Sequence, residues 1–406
     1  MDPFFQGFIT ELSEAGNQVL LIRTNDFINT FDIKKWHTGI DKDALVETVK
    51  RFSPQLIIAP NHSIPDALLQ CTDCPILIYS ADAPAHYASP DVIRENVDRY
   101  TFLHHWDQTF GDVCVKNFGC AREQNIHTGY YTAIKSAESE IKNNLVFIGS
   151  LGWPQIIRSR FQELTSQEEL TALLAEFDEK TQVKEKWDTN FLHLLTFSER
   201  VRTLDCICDL GLKIYGWPYN LLEAVPYSIG IARCFDFTPV FTLEKTEEIL
   251  NQTLIAPTLP NAQAPDGLSW RCVDVMASSA CLISPPKKDL KRISPYVEIP
   301  TYQSALECRE LCKKLLADEA WRREVVEGSH KAVEEHCRFT HLFKKLEAHF
   351  GLPLTSQEKG SITRAEALYP VPHNFIFRIK QTPAYKRWQK TMSFKIAKKI
   401  YRSIWP

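Results

Sequence analysis

The sequence predicts an α/β protein of open parallel sheets covered by helices, and three observations carry that expectation. Strand-length apolar runs alternate with helical patterns, the alternation occurs in two successive rounds, and a polar stretch separates the rounds. The chain has 406 residues, 44% apolar and 11% aromatic, enough to fill real cores and to exclude a disordered or fibrous chain.

Taken in order, Pro3 to Ala15 reads as a helix stopped by Gly16, and QVLLIRT as a strand. Asp41 to Phe52 is helical, followed by the runs QLIIAP, CPILIYSA and YTFLHHW, continuous apolar stretches suited to strands buried on both faces. A doubly wound domain normally opens on a strand, whereas this one opens on a helix, so its first strand is expected to be missing or replaced. Between Tyr130 and Asn144 the chain turns polar, which sets a domain boundary. The second round runs from the strand NLVFIGSLGWP through helices in 154–210 to the strands LKIYGWP and TLIAPT. A helix at about 268–279 and the strands CLISP and VEI follow. Ser304 with Glu307 forms a capping box, and Trp321 to Phe350 keeps helical spacing. The expected domains are 1–138, 139–350 and a C-terminal extension 351–406. Two such halves leave a cleft between them, with ligands expected at the carboxyl ends of strands.

The formal charge of −3 hides an asymmetry. From Val371 to Pro406 there are nine Lys or Arg and no Asp or Glu, so residues 1–370 carry −12 of that total. Tyr385, Trp388, Met392, Ile396, Ile400 and Ile404 recur at helical spacing among those cations. A basic amphipathic helix over 384–405 is therefore expected, lying on an anionic membrane surface or docking on the protein itself. The acidic body argues against nucleic acid as a partner. The first residues show no basic n-region or secretory core, and no apolar run approaches the ~18 residues of a spanning helix. The expected location is the cytoplasm, free or peripheral at the inner membrane.

Motifs prune the chemistry. There is no GxGxxG after a strand and no GxSxG; Gly211 and Gly216 have P-loop spacing, but Trp217 follows where Lys is needed. Twelve Cys are too few for a disulfide scaffold, and only Cys71 and Cys74 have zinc-ligand spacing, without a second pair, so thiols are expected and no metal site. Asp41 and Asp43 match a DxD but sit where a helix begins, which favours capping.

The richest segment is PDGLSWRCVDVMASSACLIS, residues 265–284. Trp270, Val273 and Ala277 form a packing face, with Arg271, Asp274 and Ser278 beside it. The helix start after Gly267 and Ser269 suits a phosphate, Arg271 could neutralise a diphosphate, and Asp274 could accept from ribose hydroxyls. The alternative for Arg271 and Asp274 is a surface ion pair.

This segment, continuing through SPYVEIPTYQSALECRELCKKLLADEAWRREVVEGSHKAVEEHCRFTHLFKKLE, resembles the C-terminal region of group 1 glycosyltransferases of the CgeB-like branch. The runs DPFFQGFITELSEAGNQVLLI and ILIYSADAP are similar to the N-terminal half, so the resemblance covers about residues 1–350. It implies a GT-B fold, two Rossmann-like domains facing across a cleft, with a nucleotide-sugar donor held by the second as co-substrate and no further cofactor. Related enzymes carry Glu where this chain has Asp274, one methylene longer. Gly149 and Ser150 would lie near the donor phosphates, or form an ordinary turn. Gly216 and Trp217 would lie near the base, or pack a core. Glu298 would touch the donor sugar, or be a solvated loop residue; Arg158 would reach a phosphate, or be solvated.

A sugar hydroxyl attacks better when a side chain takes its proton. Candidates at strand ends of the first half are His62, Asp82, His86, His104, His105 and Asp107, with Asp82 favoured and His104 second. Of His104 and His105, strand alternation turns one to the core. The expected function is metal-independent transfer of a sugar to a glycan or lipid-linked glycan, in polysaccharide or lipopolysaccharide biosynthesis. The alternatives are a nucleotide-sugar epimerase or hydrolase, and a non-catalytic membrane-associated glycan-binding protein.

Overall fold

The computed structural model describes residues 3–23, 42–61, 64, 66–80, 82, 84, 93–105, 109–152, 166–169, 171–172, 189–216, 224–259, 261–262, 266–356 and 358–366. The basic segment 371–406, and with it the expected amphipathic helix, lies outside the described residues, as do Asp41, His62, His86, Asp107, Arg158 and Trp217.

The first half contains α1 (Pro3–Glu14), β1 (Gln18–Arg23), α2 (Lys42–Phe52), β2 (Ile57–Pro60), α3 (Asp66–Cys71), β3 (Ile76–Tyr79), β4 (Tyr100–His104), α4 (Thr109–Phe118) and β5 (Asn125–His127). The second half contains β6 (Asn143–Ile148), α5 (Thr189–Ile207), β7 (Leu212–Tyr215), α6 (Ile229–Cys234), β8 (Phe235–Asp236), α7 (Leu243–Asn251) and β9 (Thr253–Pro257). It continues with α8 (Trp270–Ala277), β10 (Cys281–Ile283), α9 (Leu290–Ile293), α10 (Ala305–Ala317), α11 (Glu319–His336), α12 (Phe339–Phe350) and β11 (Ser361–Glu366).

The apolar runs of the sequence are the strands. β2, β3, β4 and β5 make a four-stranded sheet in that order, every pair parallel. The second sheet runs β10-β9-β6-β7-β8, again all parallel. β3 and β4 are buried along their whole length, which is why their sequences are continuous rather than alternating. β1 does not join the first sheet; it pairs with β11 in a two-stranded sheet. The expected strand VEI is not one: that stretch is tied to β10 through an isolated bridge, Ser284 to Thr301, with Ser284 N donating to the Pro300 carbonyl at 3.3 Å. The spacing that suggested one helix over 321–350 belongs to two, interrupted at Cys337 and Arg338.

Local signals do their expected work. Gly16 adopts φ +101°, a left-handed conformation that ends α1 and that a side chain would strain. Ser304 Oγ accepts from Glu307 N at 3.2 Å, while Glu307 Oε2 accepts from Gln303 N at 2.7 Å. Asp43 stands in the first turn of α2.

The chain divides into two compact units, one of Met1–Val19, Gln55–His62 and Pro75–Ile362, the other of Leu20–Pro54, Ser63–Cys74 and Thr363–Pro406. The first unit contains both parallel sheets and one large core. In the other, Leu45, Val49 and Leu68 bury against Ile22 and Cys71. Inside the first unit, aromatic rings from five separate segments meet between the sheets. Phe4 stacks on Trp270 at 5.3 Å and meets Tyr79, Tyr130 and Phe339 at 5.6–5.8 Å. No helix among the described residues is long and apolar enough to cross a membrane.

Candidate active site

Strand order decides where a ligand can enter. β6 is central in its sheet, with β7 on one side and β9 on the other, so the chain leaves its two neighbours in opposite directions. The loops after β6 and β9 diverge, opening the crevice that parallel sheets use for ligands. Four segments meet there. Gly149 N donates to the Tyr215 carbonyl at 2.9 Å, holding the ends of β6 and β7 together. A Cβ on Gly216 would stand 2.5 Å from the Gly149 carbonyl oxygen, so only glycine permits this approach. Ser150 Oγ accepts from Gly152 N at 3.0 Å, shaping the next turn.

α8 enters from the β9 side. Cys272 Sγ donates to Thr258 Oγ1 at 3.2 Å, which fixes the first turn of α8 to the end of β9. Ser269 stands at the N-cap in extended conformation, but its side chain makes no capping bond. The first backbone N–H groups of the helix therefore have no side-chain cap, the condition that suits an anion. Gly267 is buried just upstream, and neighbouring Asp266 pairs with Lys288 at 2.6 Å.

The Arg271 and Asp274 pair exists, at 3.0 Å, but it is not a surface pair: their side chains are 19% and 7% exposed. Asp274 also accepts from Thr132 Oγ1 at 2.7 Å, binding α8 to the segment that joins the two halves. Arg271 Nε is buried without a partner. Glu298 is exposed on the loop before Thr301.

On the first sheet, Asn61 and Asp82 clasp each other across the ends of β2 and β3. Asn61 Nδ2 donates to Asp82 Oδ2 at 3.0 Å and Asp82 N donates to Asn61 Oδ1 at 2.9 Å. Asn61 adopts φ +49°, which Asn tolerates better than most residues, and its N donates to the Tyr79 carbonyl at 2.7 Å. Both members of the His104 and His105 pair are buried, because β4 is covered on both faces. His104 is held by Ser80 Oγ at 3.2 Å and Asn125 Oδ1 at 2.9 Å, so both ring nitrogens are engaged. Burial pushes its pKa down to about 4; the bond to Asn125 opposes the shift and nearby His127 adds to it. His105 Nδ1 bonds the Gly129 carbonyl at 3.0 Å and the ring stacks on Tyr130, while burial lowers its pKa to about 3.

Gly149, Ser150, Gly216 and the start of α8 thus gather around one crevice, whereas Asp82 and His104 stand at the carboxyl ends of the inner strands of the other sheet. One residue at the crevice is not among those the sequence singled out. Arg200, on α5, donates from Nε to the Leu259 carbonyl at 2.9 Å and from Nη1 to the Ser150 carbonyl at 2.5 Å. Its signal was present: Phe197, Val201, Leu204 and Ile207 are the buried stripe of α5, and Arg200 stands on the same stripe.

The twelve cysteines are free thiols, and among the described residues no three His, Cys, Asp or Glu side chains are grouped to hold a metal ion.

Residues 214–348 match the family model described as "Glycosyl transferase-like". Among solved structures, the sucrose-phosphate synthase of Thermosynechococcus elongatus is similar at TM-score 0.50 and 12% identity, over 84% of this chain and 93% of that one. Anabaena HepE in complex with UDP and glucose is similar at TM-score 0.50 and 10% identity, over 85% of this chain and 95% of that one. Nothing among curated protein sequences matches the chain. At such identities the structural likeness concerns the fold, which is that of the GT-B glycosyltransferases.

Proposed function

We propose, on the support of a glycosyl transferase-like match over residues 214–348 and a GT-B fold, that the chain moves a sugar from a nucleotide-sugar donor to a glycan or lipid-linked glycan without a metal ion. The observation that carries this reading is the reversal of strand order at β6, which opens a crevice beside the uncapped start of α8 within reach of the matched domain. On this reading the donor diphosphate lies against the first N–H groups of α8 and the Arg271 guanidinium, with Ser150, Ser269 and the glycines 149, 216 and 267 shaping the floor. Trp217 and Glu298 belong to the same proposal, for the base and the sugar respectively. Asp274 acts by holding Arg271 and Thr132.

Transfer forms a bond from an acceptor hydroxyl oxygen to the anomeric carbon as the bond from that carbon to the diphosphate oxygen breaks. The hydroxyl proton needs an acceptor, and Asp82 is the group we assign to it: a carboxylate at a strand end, oriented by Asn61. His104, neutral and engaged at both nitrogens, is given the task of fixing the ends of β3, β4 and β5. The leaving diphosphate keeps its charge on the α8 dipole and Arg271. Binding at an anionic membrane surface through 384–405, which would bring a lipid-linked acceptor within reach, is supported by the charge run of the sequence.

Thermal unfolding with a panel of nucleotides and nucleotide sugars tests the donor half, starting with UDP-sugars because the HepE structure holds UDP. A true donor at 100 times its Kd should stabilise the fold by about 2.7 kcal/mol. No shift with any of them would overturn the reading. Turnover of the donor without an acceptor would redirect it to a hydrolase or epimerase.

A further inference from the structure

Independently of the transferase reading, we propose that the outer edge of the second sheet, around β8, is the surface through which two copies of this chain associate. The first part of the argument is concentration. Of the eight large apolar side chains that stand exposed among the described residues, five are Val225, Tyr227, Ile229, Phe237 and Phe241. α6 leads into β8 without a loop, so the chain runs about 9 Å along the helix and returns about 7 Å along the strand. Ile229, at the start of α6, and Phe237, just past β8, therefore come to the same end of the sheet, and they are 65% and 66% exposed.

The second part is rigidity. Ser228 Oγ, between Tyr227 and Ile229, accepts from Ile231 N at 3.0 Å and donates to Asp205 of α5. The Tyr227 ring meets Phe197 edge-on at 5.5 Å, and the Phe237 ring meets Phe235 at 5.1 Å. The Phe241 carbonyl accepts from Gln6 Nε2 at 3.0 Å, and Leu243 N donates to Gln6 Oε1 at 3.1 Å. A fixed backbone thus holds these apolar side chains in water, and an interface formed there loses little freedom on assembly.

The third part decides the occupant. From Ala224 to Leu243 the only charged residues are Arg233 and Asp236, one of each sign. Asp236 Oδ1 accepts from Thr238 N at 2.8 Å and the carboxylate also takes a bond from Tyr215, so its charge is engaged within the chain. Such a surface gives an anionic membrane a single cation to attract, whereas two copies of an otherwise acidic body meet there without repulsion. The five side chains leave about 500 Å² in water. That is the apolar core of a homodimer interface of about 800 Å² per partner, about 65% of it apolar. β8 has only two residues, too few for strand pairing between copies, so the contact is made by side chains about a two-fold axis.

The test is sedimentation velocity of the full chain from ~1 to ~100 μM, with light scattering for mass. Wild type should reach twice the 46.7 kDa of one chain within that range. Phe237→Ser and Ile229→Ser should each weaken the dimer at least ~30-fold. Ile141→Ser removes an exposed apolar side chain just before β6, at the opposite end of the sheet, and should leave the dimer unchanged. Both test positions are exposed, so melting should match wild type, and either variant carries the comparison if the other fails to fold. The mass of one chain at every concentration would overturn the proposal, as would a dimer that both variants leave intact. Flotation on vesicles of equal parts phosphatidylglycerol and phosphatidylcholine that is lost in Phe237→Ser, with wild type monomeric, would give the surface to a membrane and overturn it as well.

Discussion

The first sheet adds its strands in chain order, β2-β3-β4-β5, whereas the second begins in the middle, at β6, and grows outward on both sides. Both are parallel, and both are made of short apolar runs. What separates them is order: among the described residues only the second has a reversal, and only there do adjacent loops diverge into a crevice. The first sheet ends instead in side chains tied to each other, Asn61 with Asp82 and Ser80 with His104 and Asn125. The contrast matches the division of work in the proposed function, in which the second half binds and the first half presents one reactive group.

The largest effect that would test this division is at Asp82. Asp82→Asn keeps the clasp with Asn61 but removes the proposed proton acceptor, so on that proposal sugar transfer should fall by roughly 100- to 10,000-fold with donor affinity unchanged. Equal loss of donor binding would break the division. Next comes Asp274→Ala, which leaves Arg271 nearly buried without its carboxylate and Thr132 without its acceptor. Urea unfolding should show a loss of about 3–5 kcal/mol.

The strands were legible because burial on both faces writes itself as an unbroken apolar run, as in ILIY of β3. β5 and β8, with three and two residues, are too short to leave any period. VEI has strand composition, yet the nearest bridge falls beyond it, between Thr301 and Ser284 just past β10, a matter of tertiary placement that no local pattern records. Strand order is likewise nonlocal, so the crevice could be expected from the alternation but not located. Arg271 and Asp274 were legible as a pair; that Thr132 completes it depends on a contact 142 residues away.

A third prediction concerns pH and the first sheet. The folded pKa of His104, about 4, lies below its ordinary 6.5, so the unfolded chain binds the extra proton first. The stabilisation is complete above pH ~6.5 and is lost as pH falls toward 4, by about 3 kcal/mol for this one group. Melting of wild type against His104→Asn across that window should show a flatter profile for the variant; a parallel one would mean that His104 is not buried neutral. The smallest effect belongs to the second sheet. Gly216→Ala sets a methyl 2.5 Å from the Gly149 carbonyl, and the loops must separate, at about 1–3 kcal/mol in urea unfolding. Wild-type stability in that variant would mean the crevice floor yields easily.

The stacking of Phe4 on Trp270 has a practical consequence. An indole held 5.3 Å from one ring and edge-on to Tyr130 at 5.9 Å sits in the joint between the two sheets and opens the helix that faces the crevice. Its emission colour and quenching should follow any change in that joint. The difference between wild type and Trp270→Phe would isolate its light from that of the other eight tryptophans, giving the molecule an optical gauge of its own closure that needs no label.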